Sequence, residues 1–220
     1  MIPIYCITLA DQPWKRATAE LHFRDFNIPV TFIEGFNGGL LGIQPATPHY
    51  IDEKNDKTWI AGVQLGCALS HIMALNLAIA LSQPEFIIVE DDAVFPFDWE
   101  QKWSQIRSEI PPDVGCVQLE HMHSGDKPSE KVSLSLSRVG YPFNAGAIWW
   151  RRNAAKEAVK MLRPVNSPFD VMLMQRVFPF VGHLVATPAL IHQRTASNIW
   201  PSSIHATHNE TDNRLHDQPG

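Results

Sequence analysis

Residues 59 to 95 read W-I-A-G-V-Q-L-G-C-A-L-S-H-I-M-A-L-N-L-A-I-A-L-S-Q-P-E-F-I-I-V-E-D-D-A-V-F. The stretch predicts a buried helix over residues 65–81, a turn at Gln83-Pro84, and a strand over 86–89 that delivers Glu90, Asp91 and Asp92. A short apolar run of aromatic and β-branched residues is what a strand covered on both faces requires. Burying a bare carboxylate is costly, so the three acids belong at the carboxyl edge of the sheet. Open α/β folds place their ligand crevice at that edge. Carboxylates crowded there repel one another, and a divalent cation relieves the repulsion. Their oxygens are hard ligands suited to Mg²⁺ or Mn²⁺ beside a substrate phosphate. A solvated turn or a helix cap would use the same residues, so the triplet by itself leaves both readings open.

The helix in front of the strand is apolar nearly all round, the pattern of either a core helix or a membrane span. It is barely long enough to span and carries Ser70, His71 and Asn76, which points to a core helix. No transmembrane segment is expected, although peripheral contact with a membrane stays open. Ser70 and His71 sit on this apolar surface either as buried groups bonded to a neighbouring loop or as part of a ligand pocket.

Toward the N-terminus, residues 2–9 read as a buried first strand. Asp11-Gln12-Pro13 resembles a helix start with Asp11 as cap, and residues 14–26 continue as an amphipathic helix. Lys15 and Arg16 in its first turn oppose the helix dipole; they are either solvated or face an anionic ligand. Residues 30–34 form a second strand, giving a β-α-β opening with parallel strands. The glycine-rich turn 35–39 carries no phosphate-binding fingerprint. Residues 40–58 lack any period and read as a long irregular loop, a candidate lid.

Beyond the acids, a helix over 99–110 stops at Pro111-Pro112, and a strand over 115–119 leads to Glu120, His121 and His123. The alternate histidines can ligate metal, but a polar loop explains them as well. Residues 124–131 read as a polar insertion. Strands are expected over 132–136 and 145–150, antiparallel, with 140–144 as the bend. Helices over 154–162 and 169–178 and a strand over 181–187 complete the pattern. Asp170 in a first turn is stabilised by the helix dipole whatever else it does.

The 220 residues, 45% hydrophobic and 19% charged, suit one soluble globular domain over 1–200 with a flexible polar tail over 201–220. A net charge of −5 without a basic stripe argues against a large nucleic-acid footprint, while leaving room for a local basic groove. Cys6, Cys67 and Cys116 are distant and odd in number, which predicts free thiols in a reducing compartment and no cysteine zinc site. A signal peptide is not expected, and the expected location is cytoplasmic.

Taken together, Ile7-Thr8-Leu9 with Arg16, the G-x-x-x-G-C-A-L-S-H helix, the strand closing in Glu-Asp-Asp, Pro168-Phe169-Asp170, and Gln193 followed by Ser197-Asn198-Ile199 resemble glycosyltransferase family 25. That family includes bacterial lipooligosaccharide galactosyltransferases and collagen-type hydroxylysine galactosyltransferases. Thr8 stands where the family pattern carries asparagine.

The resemblance implies a type A glycosyltransferase fold, an α/β mixed sheet flanked by helices that binds a nucleotide sugar at the strand ends. It implies an inverting, metal-dependent enzyme that moves galactose or a related hexose from a UDP-sugar, with Mn²⁺ or Mg²⁺, to a saccharide or glycolipid hydroxyl. Thr8, Leu9, Arg16, Phe36, Asn37, Ser70, His71, Glu90, Asp91 and Gln193 are then the expected donor-binding residues. Asp92, Asp91 and His192 are the expected metal ligands. Asp170 is the expected general base, with Glu120 as its rival. The same chemistry on a protein side chain or modified base, a metal-dependent phosphohydrolase, and a non-catalytic carbohydrate-binding relative are the competing readings.

Overall fold

In a computed structural model, residues 1–41, 62–123, 129–140 and 142–194 are described below. Most of the expected lid over 40–58, part of the insertion over 124–131, Ser197 to Ile199, and the tail over 201–220 lie outside these residues.

The chain opens with β1 (Ile4–Thr8), α1 (Pro13–Asp25) and β2 (Thr31–Glu34), followed by a 3₁₀ turn at Gly38–Leu41. Next come α2 (Gly62–Ala80), β3 (Glu85–Glu90), β4 (Ala93–Val94) and α3 (Trp99–Glu109). The second half holds β5 (Cys116–Gln118), β6 (Met122–His123), β7 (Ser129–Lys131), β8 (Leu136–Val139), β9 (Pro142–Phe143), β10 (Ala147–Arg151) and α4 (Arg152–Met161). A last helical stretch runs as α5 (Phe169–Met172), a π turn at Leu173–Val177 and α6 (Phe178–Val181), before β11 (His183–Ala186) and β12 (His192–Gln193).

Eight strands form one mixed sheet in the order β2-β1-β3-β10-β5-β11-β8-β7. β1 lies parallel to β2 and β3, as the β-α-β opening requires, whereas β10 inserts antiparallel between β3 and β5. Alternation along the central strands divides the core into two layers. Ile87, Val89 and Trp149 face α1 and α3, while Phe86, Ile88 and Trp150 face α2, α4 and α5. Phe86 to Val89 are at most 1% exposed, so the strand is covered on both sides as its composition demands. α2 is by length and hydropathy able to cross a membrane, yet it packs on β1, β3 and α4 with nine residues buried.

The structure departs from the sequence reading in several places. Gln12, not Asp11, caps α1, and it does so without a side-chain bond; the Asp11 carboxylate instead accepts from Asn37 Nδ2. Residues 132–135 are the turn of a β7–β8 hairpin rather than a strand, because Ser133 Oγ and Ser135 N donate to Glu109 and hold the chain against α3. The strand expected over 145–150 is real but pairs with β3 and β5 rather than with its sequence neighbour. Local pattern carries no information on that choice. The last helix passes through the π turn and continues to Val181.

His183 begins β11 with its ring stacked on Phe178 at 3.7 Å between centroids, and its Nε2 is buried with no hydrogen-bond partner among the described residues. Burial, helped by the nearby His121, pushes its pKa down from 6.5 to about 3. The fold thus favours the neutral ring, and only the unfolded chain takes up the proton between those values. Stability from this site is complete above pH 6.5 and is lost as pH falls toward 3. The expected result is that His183→Phe loses less melting temperature than wild type between pH 7 and pH 4.5, read by thermal denaturation at both pH values.

Candidate active site

The carboxyl ends of β1 and β3 point to one edge of the sheet, with Ile7 level with Glu90. Because β10 runs the other way, the residues before it, Asn144 to Gly146, arrive at the same edge. The segment after β5 brings Glu120 there, and β12, paired with β4, brings Gln193. These segments enclose a cavity of about 510 Å³ that also receives the first turns of α1 and α5.

One wall is the turn after β2 laid on α2. Its close approach depends on glycine: a Cβ on Gly66 would lie 2.5 Å from the Phe36 carbonyl and the Gly38 nitrogen, and one on Gly38 would lie 1.6 Å from the Gly62 carbonyl. Ser70 completes the contact, since its Oγ accepts from Phe36 N at 2.8 Å and donates to Gly66 O at 2.7 Å. Ser70 therefore both holds the loop and lines the cavity. Asn37 ties the turn to Asp11 and accepts from Gly39 N at 2.8 Å. Phe36, Asn37 and Leu9 line the cavity. Thr8 is 2% exposed and lies behind it, where its carbonyl accepts from Gly35 N at 2.7 Å.

Lys15 and Arg16 go separate ways. Successive helical side chains diverge by about 100°, so these two neighbours face different ways, and it is Lys15, with Gln12, that lines the cavity. Lys15 is 6% exposed and lines the cavity. Arg16, the residue expected at the donor, is absent from the cavity wall; it pairs with Glu20 at 2.9 Å and stacks over Phe32. Sequence reading noted that both cations oppose the dipole but could not tell which one faces a ligand. No local signal separates them, because Gln12 lies three residues from Lys15 and four from Arg16, and both spacings share a helical face.

Glu90 is the best-supported acid of the three. Its Oε1 meets His71 Nε2 at 3.1 Å and the Cys67 thiol at 3.7 Å, and Gln193 Nε2 donates to Oε2 at 3.4 Å. The His71 ring stacks on Phe169 at 4.3 Å. Burial pushes the Glu90 carboxyl up, but His71, Cys67 and Lys15 more than offset it and leave it below its ordinary value. Asp91 receives no side-chain hydrogen bond among the described residues: burial drives its pKa up to about 7, with Glu90 and Asp92 adding to the rise and Lys15 and a backbone hydrogen bond opposing it. Asp92 is 4% exposed, and its carbonyl accepts from Arg194 N at 3.0 Å.

A hard divalent cation fits Asp91 and Asp92, because a bound cation would offset the burial and the neighbouring negative charges that raise Asp91. His192 is exposed and absent from the cavity wall; its neighbour Gln193 occupies that place. Cys67, His71 and Glu90 also bring ligand atoms within 4.8 Å of one another, but these atoms already satisfy one another by hydrogen bonding. His121 is engaged with the Ala186 carbonyl at 2.9 Å.

The opposite wall holds one candidate base, Asp170, and the other, Glu120, lies behind it. Asp170 lines the cavity, accepting from Val171 N at 2.9 Å and from Asn144 N at 3.4 Å. Glu120 is 5% exposed and stands behind Asn144, whose Nδ2 donates to its Oε1 at 3.1 Å. Burial brings the Glu120 pKa up to about 7; Asn144 opposes the rise, while Glu90 and Asp92 add to it. Asn144 itself escaped the sequence reading, which placed it in a generic bend.

The family model for glycosyltransferase family 25 (LPS biosynthesis protein) matches residues 1–139. No curated protein matches the sequence. Among solved structures, the chain is similar to a glycosyltransferase involved in the glycosylation of the major capsid of PBCV-1. The identity is 16%, with 88% of this chain and 92% of that one covered, at a TM-score of 0.48. It is also similar to mouse xyloside xylosyltransferase 1 in its apo form, at 15% identity, with 82% of this chain and 64% of that one covered, and a TM-score of 0.34. The family match spans the acids of β3 and Glu120, whereas Asn144, Asp170 and Gln193 lie beyond it.

Since the folded pKa of Glu120 stands above the ordinary 4.5, its ionisation opposes folding. The stability of the neutral form is complete below about pH 4.5 and is lost as pH rises through about 7. Glu120→Gln is therefore expected to raise the melting temperature of the metal-free protein by a few degrees at pH 8 and to leave it unchanged at pH 4. Equal shifts at both pH values would show that Glu120 is not held protonated.

Proposed function

The chain belongs to glycosyltransferase family 25, and from that premise we propose that this glycosyltransferase moves a hexose, galactose or a near relative, from a UDP-sugar to a saccharide or glycolipid hydroxyl with inversion. The observation that carries the reading is the buried Lys15 sharing one cavity with Glu90, Asp91 and Asp92. A cavity of about 510 Å³ suits a nucleotide sugar. Its mixed charge suits a diphosphate bridged by a cation rather than a neutral ligand.

In this reading Phe36, 45% exposed at the mouth, offers a ring to the base, and Lys15 faces the diphosphate. Asp91 and Asp92 hold Mn²⁺ or Mg²⁺, whose chemistry is to neutralise charge on the departing diphosphate. The acceptor oxygen bonds to the anomeric carbon as the bond from that carbon to the diphosphate oxygen breaks, and the hydroxyl proton passes to a carboxylate. Reach comes before basicity in choosing that carboxylate. Asp170 lines the cavity and is the proposed base; Glu120 supports it from behind. The free thiols agree with a cytoplasmic setting.

Calorimetric titration with UDP tests the reading. Wild type is expected to bind UDP more tightly with Mn²⁺ than without, and Asp92→Ala to lose that difference. Absence of binding to UDP and to other nucleoside diphosphates would overturn the donor assignment. Lys15→Met is expected to weaken UDP binding by about 10- to 100-fold, the scale of a charged hydrogen bond, without changing the affinity for uridine. In turnover of the UDP-sugar, Asp170→Asn is expected to lose about 10²- to 10⁴-fold, more than Glu120→Gln loses.

A further inference from the structure

Asn144 has a φ of +73°, a left-handed conformation that asparagine tolerates better than most residues. All of its hydrogen donors are engaged by residues of the cavity region. Its Nδ2 donates to Glu120 Oε1 at 3.1 Å and to Gln193 Oε1 at 3.4 Å, and its main-chain N–H donates to Asp170 Oδ2 at 3.4 Å. Its carbonyl accepts from Gln118 Nε2. Three segments remote in sequence, Gln118 with Glu120, Asp170, and Gln193, thus meet on one side chain and its peptide.

The direction of this chain of bonds is determined from the donor side. Glu90 carries only acceptors when ionised, so Gln193 must present its NH₂ to Glu90 and its carbonyl to Asn144. Asn144 must then turn its NH₂ toward Gln193, and the second hydrogen of that NH₂ reaches Glu120. A flip of the Asn144 amide would set its oxygen against the Gln193 carbonyl oxygen. Its Oδ1 accepts no hydrogen bond among the described residues, on a residue that lines the cavity.

We propose that Asn144 is the positioning residue of the acceptor side: Gln193 and Glu120 lock its amide, which fixes its N–H on Asp170 and leaves Oδ1 to receive a substrate hydroxyl. The donor carboxylate Glu90 and the base Asp170 are thereby held in one register through two amides. The inference rests on the transferase reading above and extends it to residues beyond the matched segment. The close fit at Gly146 agrees with it, since a Cβ there would lie 2.3 Å from Gln193 Nε2 and push the relay apart.

Two variants that keep the backbone conformation test the proposal. Asn144→Gly is at ease at positive φ and removes the amide; Asn144→Asp keeps the shape and the turn preference but removes both donations. The readouts are UDP affinity by calorimetry with Mn²⁺ and UDP release from UDP-galactose and other UDP-hexoses, with water or added saccharides as acceptor. The expected result for both variants is UDP affinity within about twofold of wild type, donor KM within about threefold, and kcat lower by about 100-fold, the cost of misplacing a reacting group. Wild-type kcat in either variant would overturn the proposal. So would loss of UDP affinity in parallel with kcat, since Asn144 would then only support the fold. Wild type that binds no UDP and releases none from any UDP-hexose would remove the transferase reading, and this inference with it.

Discussion

A carboxylate at the end of a buried strand must be matched by hydrogen-bond donors or it will not stay ionised, and Glu90 meets that requirement from two directions. α2 supplies His71 and Cys67, one turn apart on the same helical face. β12 supplies Gln193 from the far end of the chain. The acid therefore holds the helix to the strand and the C-terminal segment to both. Asp91 is the less supported acid: burial, with the charges of Glu90 and Asp92 adding to it, raises its pKa and marks a place where a further positive charge is wanted.

The mixed sheet turns this local compensation into a cavity with two unlike walls. Parallel β1, β2 and β3 bring their carboxyl ends to one edge, and the glycines of α2 let the turn after β2 sit close enough to form one wall. Antiparallel β10 reverses the chain, so its leading residues reach the same edge and build the opposite wall from Asn144, with Glu120 behind it. An all-parallel sheet would have sent that segment to the opposite end. One strand direction thus gives the cavity its second wall.

Much of this was legible in the sequence because it follows from local pattern. The apolar run before Glu90, the all-round apolar helix and the β-α-β opening each have a period or composition that admits few structures. The acids at a sheet edge followed from the cost of burying charge. Asp11 misled because a cap-like residue before Pro13 competes with a distant partner, Asn37, that no local window contains. Residues 132–135 misled because their alternation resembles a strand while Glu109 draws their polar groups into a turn.

The sequence by itself determined the layers, the central strand, the helix that covers it and the carboxylate triplet, since each depends on neighbours within a few residues. Only the tertiary structure decided that Lys15 rather than Arg16 enters the cavity, that β10 pairs with β3 and β5, and that Asn144 joins Glu120, Asp170 and Gln193. The reason is physical: hydrogen bonds and charge pairs between distant segments depend on strand order and helix phase, which fold the chain back on itself. Side-chain identity alone leaves both undetermined.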